Sequence, residues 1–96
     1  MIEAFEEWVA TCGQRLKDKG VTVDFVRRES PSSAAVATLE SKTLVASITM
    51  WDIGACDVHM LSYETGMTVL GQRYDVQSFD EIAPVLEDVC RRMTVE

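Results

Sequence analysis

The chain has 96 residues, the size of one domain, so a single domain over residues 1–96 is expected. Hydrophobic residues make up 47% of it, an ordinary share for a globular protein, which argues against disorder. The net charge is −7, from 16 acidic and 9 basic residues, so nucleic acid is a poor partner and a basic protein a better one.

No membrane segment is expected, because the longest weakly polar run, residues 43–50, is far shorter than the ~20 apolar residues of a spanning helix. Residues 1–7 lack the basic start and apolar centre of a signal peptide. The three cysteines, Cys12, Cys56 and Cys90, are widely separated and odd in number. This spacing argues against a disulfide framework and a zinc site, and it favours a reducing compartment. Cytoplasmic location is therefore predicted, with Cys12 and Cys90 as buried small hydrophobic residues on helix stripes.

An amphipathic helix is predicted over residues 2–19. Its apolar residues recur at three- and four-residue spacing and form one stripe, namely Ile2, Phe5, Val9, Cys12 and Leu16. Acidic residues crowd the first turns and basic residues the last, which suits the helix dipole. Gly20 then supplies a left-handed stop.

Four or five strands follow, because the apolar spacing changes from helical to alternating. The predicted strands cover residues 21–26, 34–40, 43–51, 56–64 and 67–76. A loop rich in serine and proline over residues 29–33 and short turns separate them, and Gly66 supplies positive φ in the last hairpin. Gly71 is predicted to be a bulge or twist point.

A second amphipathic helix ends the chain, with an apolar stripe of Ile82, Val85, Leu86, Val89 and Met93. The sequence allows two positions for the start of this helix. Ser78 followed by Glu81 has the form of a capping box, but it leaves Pro84 inside the helix. A start at Asp80 puts this proline in the first turns at less cost and is favoured.

This order predicts an α+β fold with an antiparallel sheet of four to five strands and helices at both ends of the chain. The connections between strands are too short for parallel crossovers, so sequential strands are expected to pair as a meander. Each helix has a single apolar stripe, and the economical packing places both helices on one face of the sheet.

No catalytic, metal-binding or cofactor-binding pattern is present in the sequence. His59 and Asp57 share a strand face and could form a general base, but a nucleophile such as Ser47 or Thr49 would have to come from a neighbouring strand. One histidine and scattered cysteines offer no local metal-ligand pair, and the glycines match no phosphate-binding motif. We therefore expect no enzyme, no metal and no cofactor.

The remaining candidate is the sheet face that the helices leave uncovered. Aromatic side chains with acidic neighbours on such a face are typical of the anchor and rim of a protein-binding site. The predicted partner-binding residues are Trp51, Asp52, Asp57, His59, Tyr63 and Glu64. Two alternatives are that Trp51 packs under a loop or that this face forms a homodimer interface.

The segment over residues 47–58 reads as strand, Trp-x-x-Gly-x-x-Asp, strand, with Trp51, Gly54 and Asp57 at the marked positions. In this it resembles the central hairpin of TriTu, a group of small, acidic, cytoplasmic immunity proteins of bacterial polymorphic toxin systems with helix, strands, helix order. The resemblance implies neutralisation of a cognate toxin by stoichiometric binding. Basic toxins that attack nucleic acids would suit an acidic inhibitor, with Trp51 as anchor and Asp52 and Asp57 among its charge partners.

Two other functions stay open at this point. Secretion chaperones are similar in being small, acidic and α+β, and they act as homodimers that hold an unfolded segment of an effector. A stable homodimer with affinity for an extended peptide would favour that class. A small enzyme that uses Asp57 and His59 is the third hypothesis.

Overall fold

The computed structural model describes residues 2–28 and 33–94. In chain order the elements are α1 (Ile2–Asp18), β1 (Thr22–Arg28), β2 (Ala34–Glu40), β3 (Leu44–Trp51), β4 (Ala55–Ser62), β5 (Thr68–Asp75) and α2 (Phe79–Thr94). The predicted α+β class and the order of helix, five strands and helix are confirmed. Of the predicted loop over residues 29–33, all but Ser33 lies outside the described residues.

The five strands form one antiparallel sheet in the order β1-β2-β3-β4-β5, so each strand pairs with its neighbour in sequence. This is the predicted meander, and short connections make it the economical arrangement. β3 lies at the centre, and β1 and β5 are the two edges.

The irregularity of the sheet lies two residues before the predicted position. Met60 pairs with Leu70 and Leu61 pairs with Thr68, so Val69 is the extra residue of the bulge. Gly71 instead pairs regularly with His59. The bulge prediction was wrong: Gly71 has no positive φ and keeps the regular pairing. A Cβ at this position would lie 3.3 Å from Cγ2 of Thr68 and 3.4 Å from Cδ2 of His59.

The ends of the helices follow from capping chemistry. α1 stops at Gly20, whose φ of 84° is accessible to glycine without strain. The amide of Val21 donates to the carbonyl of Leu16 at 2.9 Å, which satisfies one of the last helical acceptors. α2 begins at Phe79, directly after Ser78, so the favoured start at Asp80 is wrong and Pro84 lies inside the helix.

Glu81 explains the earlier start of α2. Its carboxylate accepts a hydrogen bond from the backbone amide of Gln77 at 2.9 Å, and its own amide donates to the carbonyl of Ser78 at 3.2 Å. These bonds fix the first turn before Pro84 is reached. Pro84 is exposed, so its ring meets solvent rather than the core.

One hydrophobic core lies between the helices and one face of the sheet. Both helices contribute their apolar stripes, and the strands contribute alternate residues. The largest fully buried side chains are Phe5, Leu16, Leu39, Ile48, Met50, Met60, Ile82 and Leu86. Each such side chain contributes roughly 1.5–3 kcal/mol by its removal from water, so the pairing of the layers rests on this set.

A disulfide bond joins Cys12 of α1 to Cys90 of α2. The interpretation of these two residues as unpaired hydrophobic side chains is therefore wrong, although both are buried as expected. Their separation of 78 residues hid the pairing, because only the packing of the two helices brings the stripes together. Cys56 is free and lies on the core face of β4 with no exposed surface. Neither described helix is long and apolar enough to cross a membrane.

Candidate protein-binding site

Within residues 2–28 and 33–94, no helix packs on the sheet face opposite α1 and α2, and we call this face the open face. It alternates with the core face along every strand, because successive side chains point to opposite sides of a sheet. It contains Thr22, Asp24, Val26, Arg28, Ala34, Val36, Thr38, Glu40, Val45, Ser47, Thr49, Trp51, Ala55, Asp57, His59, Leu61, Thr68, Gly71, Arg73 and Asp75. Trp51, Asp57 and His59, which the sequence analysis selected, all lie on it.

Trp51 sits at one end of the open face and is joined to a residue that sequence reasoning missed. The guanidinium of Arg73 lies 5.4 Å from the centroid of the Trp51 ring, within cation–π distance. Its Nε is also 3.9 Å from a carboxylate oxygen of Asp75. Ala34 and Ala55 are buried although they belong to this face. Trp51 is half-buried and presents an amphipathic surface together with Arg73.

A depression with a volume of about 480 Å³ lies beside this pair, over β3, β4 and β5. Its lining consists of Ser47, Thr49, Asp57, Val58, His59, Gly71, Gln72 and Arg73. We call this feature the polar depression.

The six predicted binding residues do not form one cluster. Asp52 is exposed in the turn beside Trp51, whereas Tyr63 and Glu64 follow the opposite end of β4. At about 3.4 Å per residue, the length of chain from Ala55 to Tyr63 is about 27 Å. A partner that contacts all six residues must therefore span the whole sheet.

Tyr63 has a partner within the protein. Its hydroxyl donates a hydrogen bond to the carboxylate of Glu40, and this bond, with the nearby negative charge, raises the pKa of Tyr63. Half of the Tyr63 surface, 51%, remains exposed. The bond fixes the direction of the ring at the second end of the open face.

The register brings Ser47 opposite His59, with Asp57 two residues away on the same face. A nucleophile and its base need a hydrogen bond in a catalytic arrangement. Among the described residues, no hydrogen bond joins these side chains; the His59 ring instead leans over Gly71, on the side away from Ser47. Residues 2–28 and 33–94 contain no group of three or more potential ligands that could hold a metal ion.

Acidic groups outnumber basic ones on the open face and the loops at its ends. Among the described residues of the open face and of the turns that join one strand to the next, there are six carboxylates and three basic groups. The carboxylates belong to Asp24, Glu40, Asp52, Asp57, Glu64 and Asp75, and the basic groups to Arg28, Lys42 and Arg73. On the helix layer, by contrast, several bases have acidic partners: Arg27 contacts Glu3 and Glu6, Arg15 contacts Glu87, and Arg91 and Arg92 contact Asp88.

The sequence indicates on which face of the sheet Arg73 and Glu40 lie, but not which residues they contact. Each lies at an alternating position of its strand, so its face follows from strand periodicity. Which neighbours they meet depends on register, and register across β4 and β5 shifts at Val69. A pattern analysis could therefore place Arg73 on the face but could not pair it with Trp51.

The fold and the open face define a small α+β protein with an exposed, acidic and aromatic sheet surface, and comparison with known proteins assigns its class. The family model described as immunity protein TriTu matches residues 3–92 of the 96. The chain therefore belongs to the TriTu family of immunity proteins. No curated protein matches it at a significant level.

Proposed function

We propose that the protein neutralises a cognate toxin by stoichiometric binding through the open face. The observation that carries this proposal is the family match over nearly the whole chain, combined with a sheet face that no described helix covers. Immunity function implies a protein partner, and an uncovered face with an aromatic centre is the surface best suited to hold one.

The composition of the open face supports this choice. Tryptophan and arginine are the residue types most enriched at binding hot spots, and Trp51 and Arg73 already contact each other in the free protein. Their contact places an aromatic ring and a guanidinium side by side, so that a partner can meet both in one patch. The surrounding carboxylates favour a basic toxin, because complementary charge speeds association.

The size of the face fits a single interface. A standard protein complex covers about 800 Å² on each partner, a patch roughly 28 Å on a side. The β4 segment that separates Trp51 from Tyr63 has a similar length. One toxin surface can therefore contact Trp51, Asp52, Asp57 and His59 at one end and Tyr63 and Glu64 at the other.

The proposed mechanism is binding rather than reaction. The protein acts as a monomer, because a homodimer through the open face would bury the site. The family match favours such an inhibitor over a chaperone for effector segments. The proposed place of action is the cytoplasm, where thiols are kept reduced and the Cys12–Cys90 pair has to function without its bond.

Co-expression tests the proposal directly. Each protein encoded beside this gene is expressed with and without it, and a growth-arresting product whose effect is relieved identifies the toxin. Titration of a fixed amount of toxin with the protein, read by an assay of toxin activity, then measures the ratio at which that activity is abolished. Binding predicts an end point at one inhibitor per toxin, whereas full relief at a small fraction of that ratio would indicate catalysis and overturn the proposal.

Substitution of Trp51 tests the face. Trp51→Ala removes the aromatic anchor and the ring under Arg73, so it is expected to weaken the complex by about 2 kcal/mol or more, roughly 30-fold in Kd. The control is Trp8→Ala, since Trp8 lies on α1 in the opposite layer, where its Nε1 donates to Glu87 at 3.1 Å. Equal affinity of Trp51→Ala and the wild type would show that the toxin binds elsewhere.

A further inference from the structure

We propose that the polar depression receives an arginine side chain of the toxin and that Asp57 is the carboxylate that binds its guanidinium. This inference rests on the proposed function and adds the chemistry of the central contact. It depends on the position of Asp57, on the contacts that its cross-strand neighbour Arg73 makes, and on the space beside Gly71.

Asp57 is half-buried, and the basic residue opposite it in the sheet, Arg73, directs its guanidinium to other groups. Arg73 lies directly opposite it in the pairing of β4 with β5. The guanidinium of Arg73 is nevertheless drawn to the Trp51 ring at 5.4 Å and to Asp75 at 3.9 Å. Within residues 2–28 and 33–94, no basic side chain lies within ion-pair distance of Asp57. A partly desolvated carboxylate without a cation gains most from one that a partner supplies.

The depression has room and acceptors for a guanidinium. It has a volume of about 480 Å³, is open to solvent, and includes Gly71, which has no side chain, in its lining. Thr49 lies opposite Asp57 in the register and Ser47 opposite His59, and both hydroxyl-bearing residues line the depression together with Asp57. A planar guanidinium presents five donors in a fork that matches a carboxylate with further acceptors around it.

The net charge of the protein and the existing contacts of Arg73 favour a cation over an anion as the ligand of the polar depression. The protein carries a charge of −7, so an incoming carboxylate or phosphate is repelled at long range. Arg73, the strongest donor at the rim, already has an aromatic ring and a carboxylate as partners. Lysine could bring the charge, but only arginine can bond the carboxylate with two parallel donors and still reach the hydroxyls.

The first experiment uses a small probe and the intact protein. N-acetyl-arginine amide is titrated into ¹⁵N-labelled protein, with the citrulline analogue as its neutral isostere and N-acetyl-aspartate amide as an acidic probe. We expect the arginine probe alone to shift the amide signals of Thr49, Asp57 and Gly71 in a saturable way. Asp57→Asn should weaken that binding at least tenfold, because it keeps the shape of the side chain and removes its charge.

Asp24→Asn is the matched control. Asp24 lies on the same face but on the edge strand β1, outside the polar depression. It should leave the arginine shifts unchanged. An unchanged response in Asp57→Asn, stronger binding of the acidic probe, or equal binding of the citrulline analogue would each overturn the inference.

A second experiment separates this inference from the proposed function. Once the toxin is identified, Asp57→Asn is expected to raise the Kd of the complex at least tenfold. The control for this measurement is Glu7→Gln, which changes an exposed carboxylate of α1 in the opposite layer and should alter the Kd less than threefold. If the wild type binds no toxin, the proposed function fails. If the wild type binds and Asp57→Asn binds equally well, the function stands and the arginine contact is wrong.

Discussion

At the scale of single residues, the alternation of side chains along β4 gives two adjacent residues, Cys56 and Asp57, opposite environments. Asp57 points to the open face, whereas its neighbour Cys56 points into the core with no exposed surface. Burial raises the pKa of the Cys56 thiol from 9.0 to about 12, and the nearby charge of Asp57 adds to this effect. A thiol held neutral in this way is a poor nucleophile, so Cys56 acts as a packing residue.

The raised pKa of Cys56 predicts a loss of stability in alkali. Above the unfolded pKa of 9.0 the unfolded chain releases the thiol proton while the folded chain retains it up to about 12. Unfolding is then coupled to proton loss, so the free energy of unfolding falls as pH rises through this window, by about 1–2 kcal/mol at pH 10. Urea denaturation at pH 8 and pH 10 measures the difference.

Cys56→Ala is the comparison for that measurement. It removes the thiol, so its stability should fall less between the two pH values than that of the wild type. Tyr63, whose pKa is raised by its bond to Glu40, remains in both proteins and contributes a decrease of the same sign to each. An identical decrease in the two proteins would assign the whole effect to groups other than Cys56.

At the scale of elements, the two helices are held together by more than their apolar stripes. The Cys12–Cys90 bond links them, and the Trp8 indole of α1 donates to Glu87 of α2. Arg15 also lies 3.6 Å from Glu87, in an exposed ion pair that adds little. The covalent bond is therefore the largest single constraint between the first and last elements of the chain.

Reduction of this disulfide should lower stability without changing the fold. The bond closes a loop whose ends are 78 residues apart, and the loss of that constraint on the unfolded chain is worth about 4.5 kcal/mol. Urea denaturation of the wild type with and without reductant measures this difference. The double variant Cys12→Ala and Cys90→Ala should be insensitive to reductant, and three free thiols in the native wild type would contradict the bond.

At the scale of the whole molecule, charged residues and the aromatic anchor are expected to affect different steps of the proposed complex, its association and its dissociation. Exposed carboxylates such as Asp52 and Glu64 stand at opposite ends of the open face and act at long range. Trp51 is half-buried and carries no charge, so it contributes only after the partner's surface touches it. Charges at the rim of an interface mainly affect the association rate, and a buried anchor mainly affects dissociation.

This division predicts different kinetic effects for different substitutions. Asp52→Asn with Glu64→Gln should slow association with the identified toxin several-fold and reduce its dependence on salt, since less charge is left to be screened. Trp51→Ala should keep the salt dependence of the wild type and dissociate faster. Surface plasmon resonance at a series of salt concentrations measures both rates; an association rate that is indifferent to salt would argue against a basic partner.

The amino-acid sequence by itself determined the elements, their order and the face of most side chains, because apolar periodicity and short connections are local properties of the chain. It could therefore place Trp51 and Asp57 on a surface away from the helices. Only the tertiary structure decided the contact of Trp51 with Arg73, the bond between Cys12 and Cys90 and the distance of Tyr63 from Trp51. Each of these depends on strand register or helix packing, which join residues far apart in the chain and leave no local pattern.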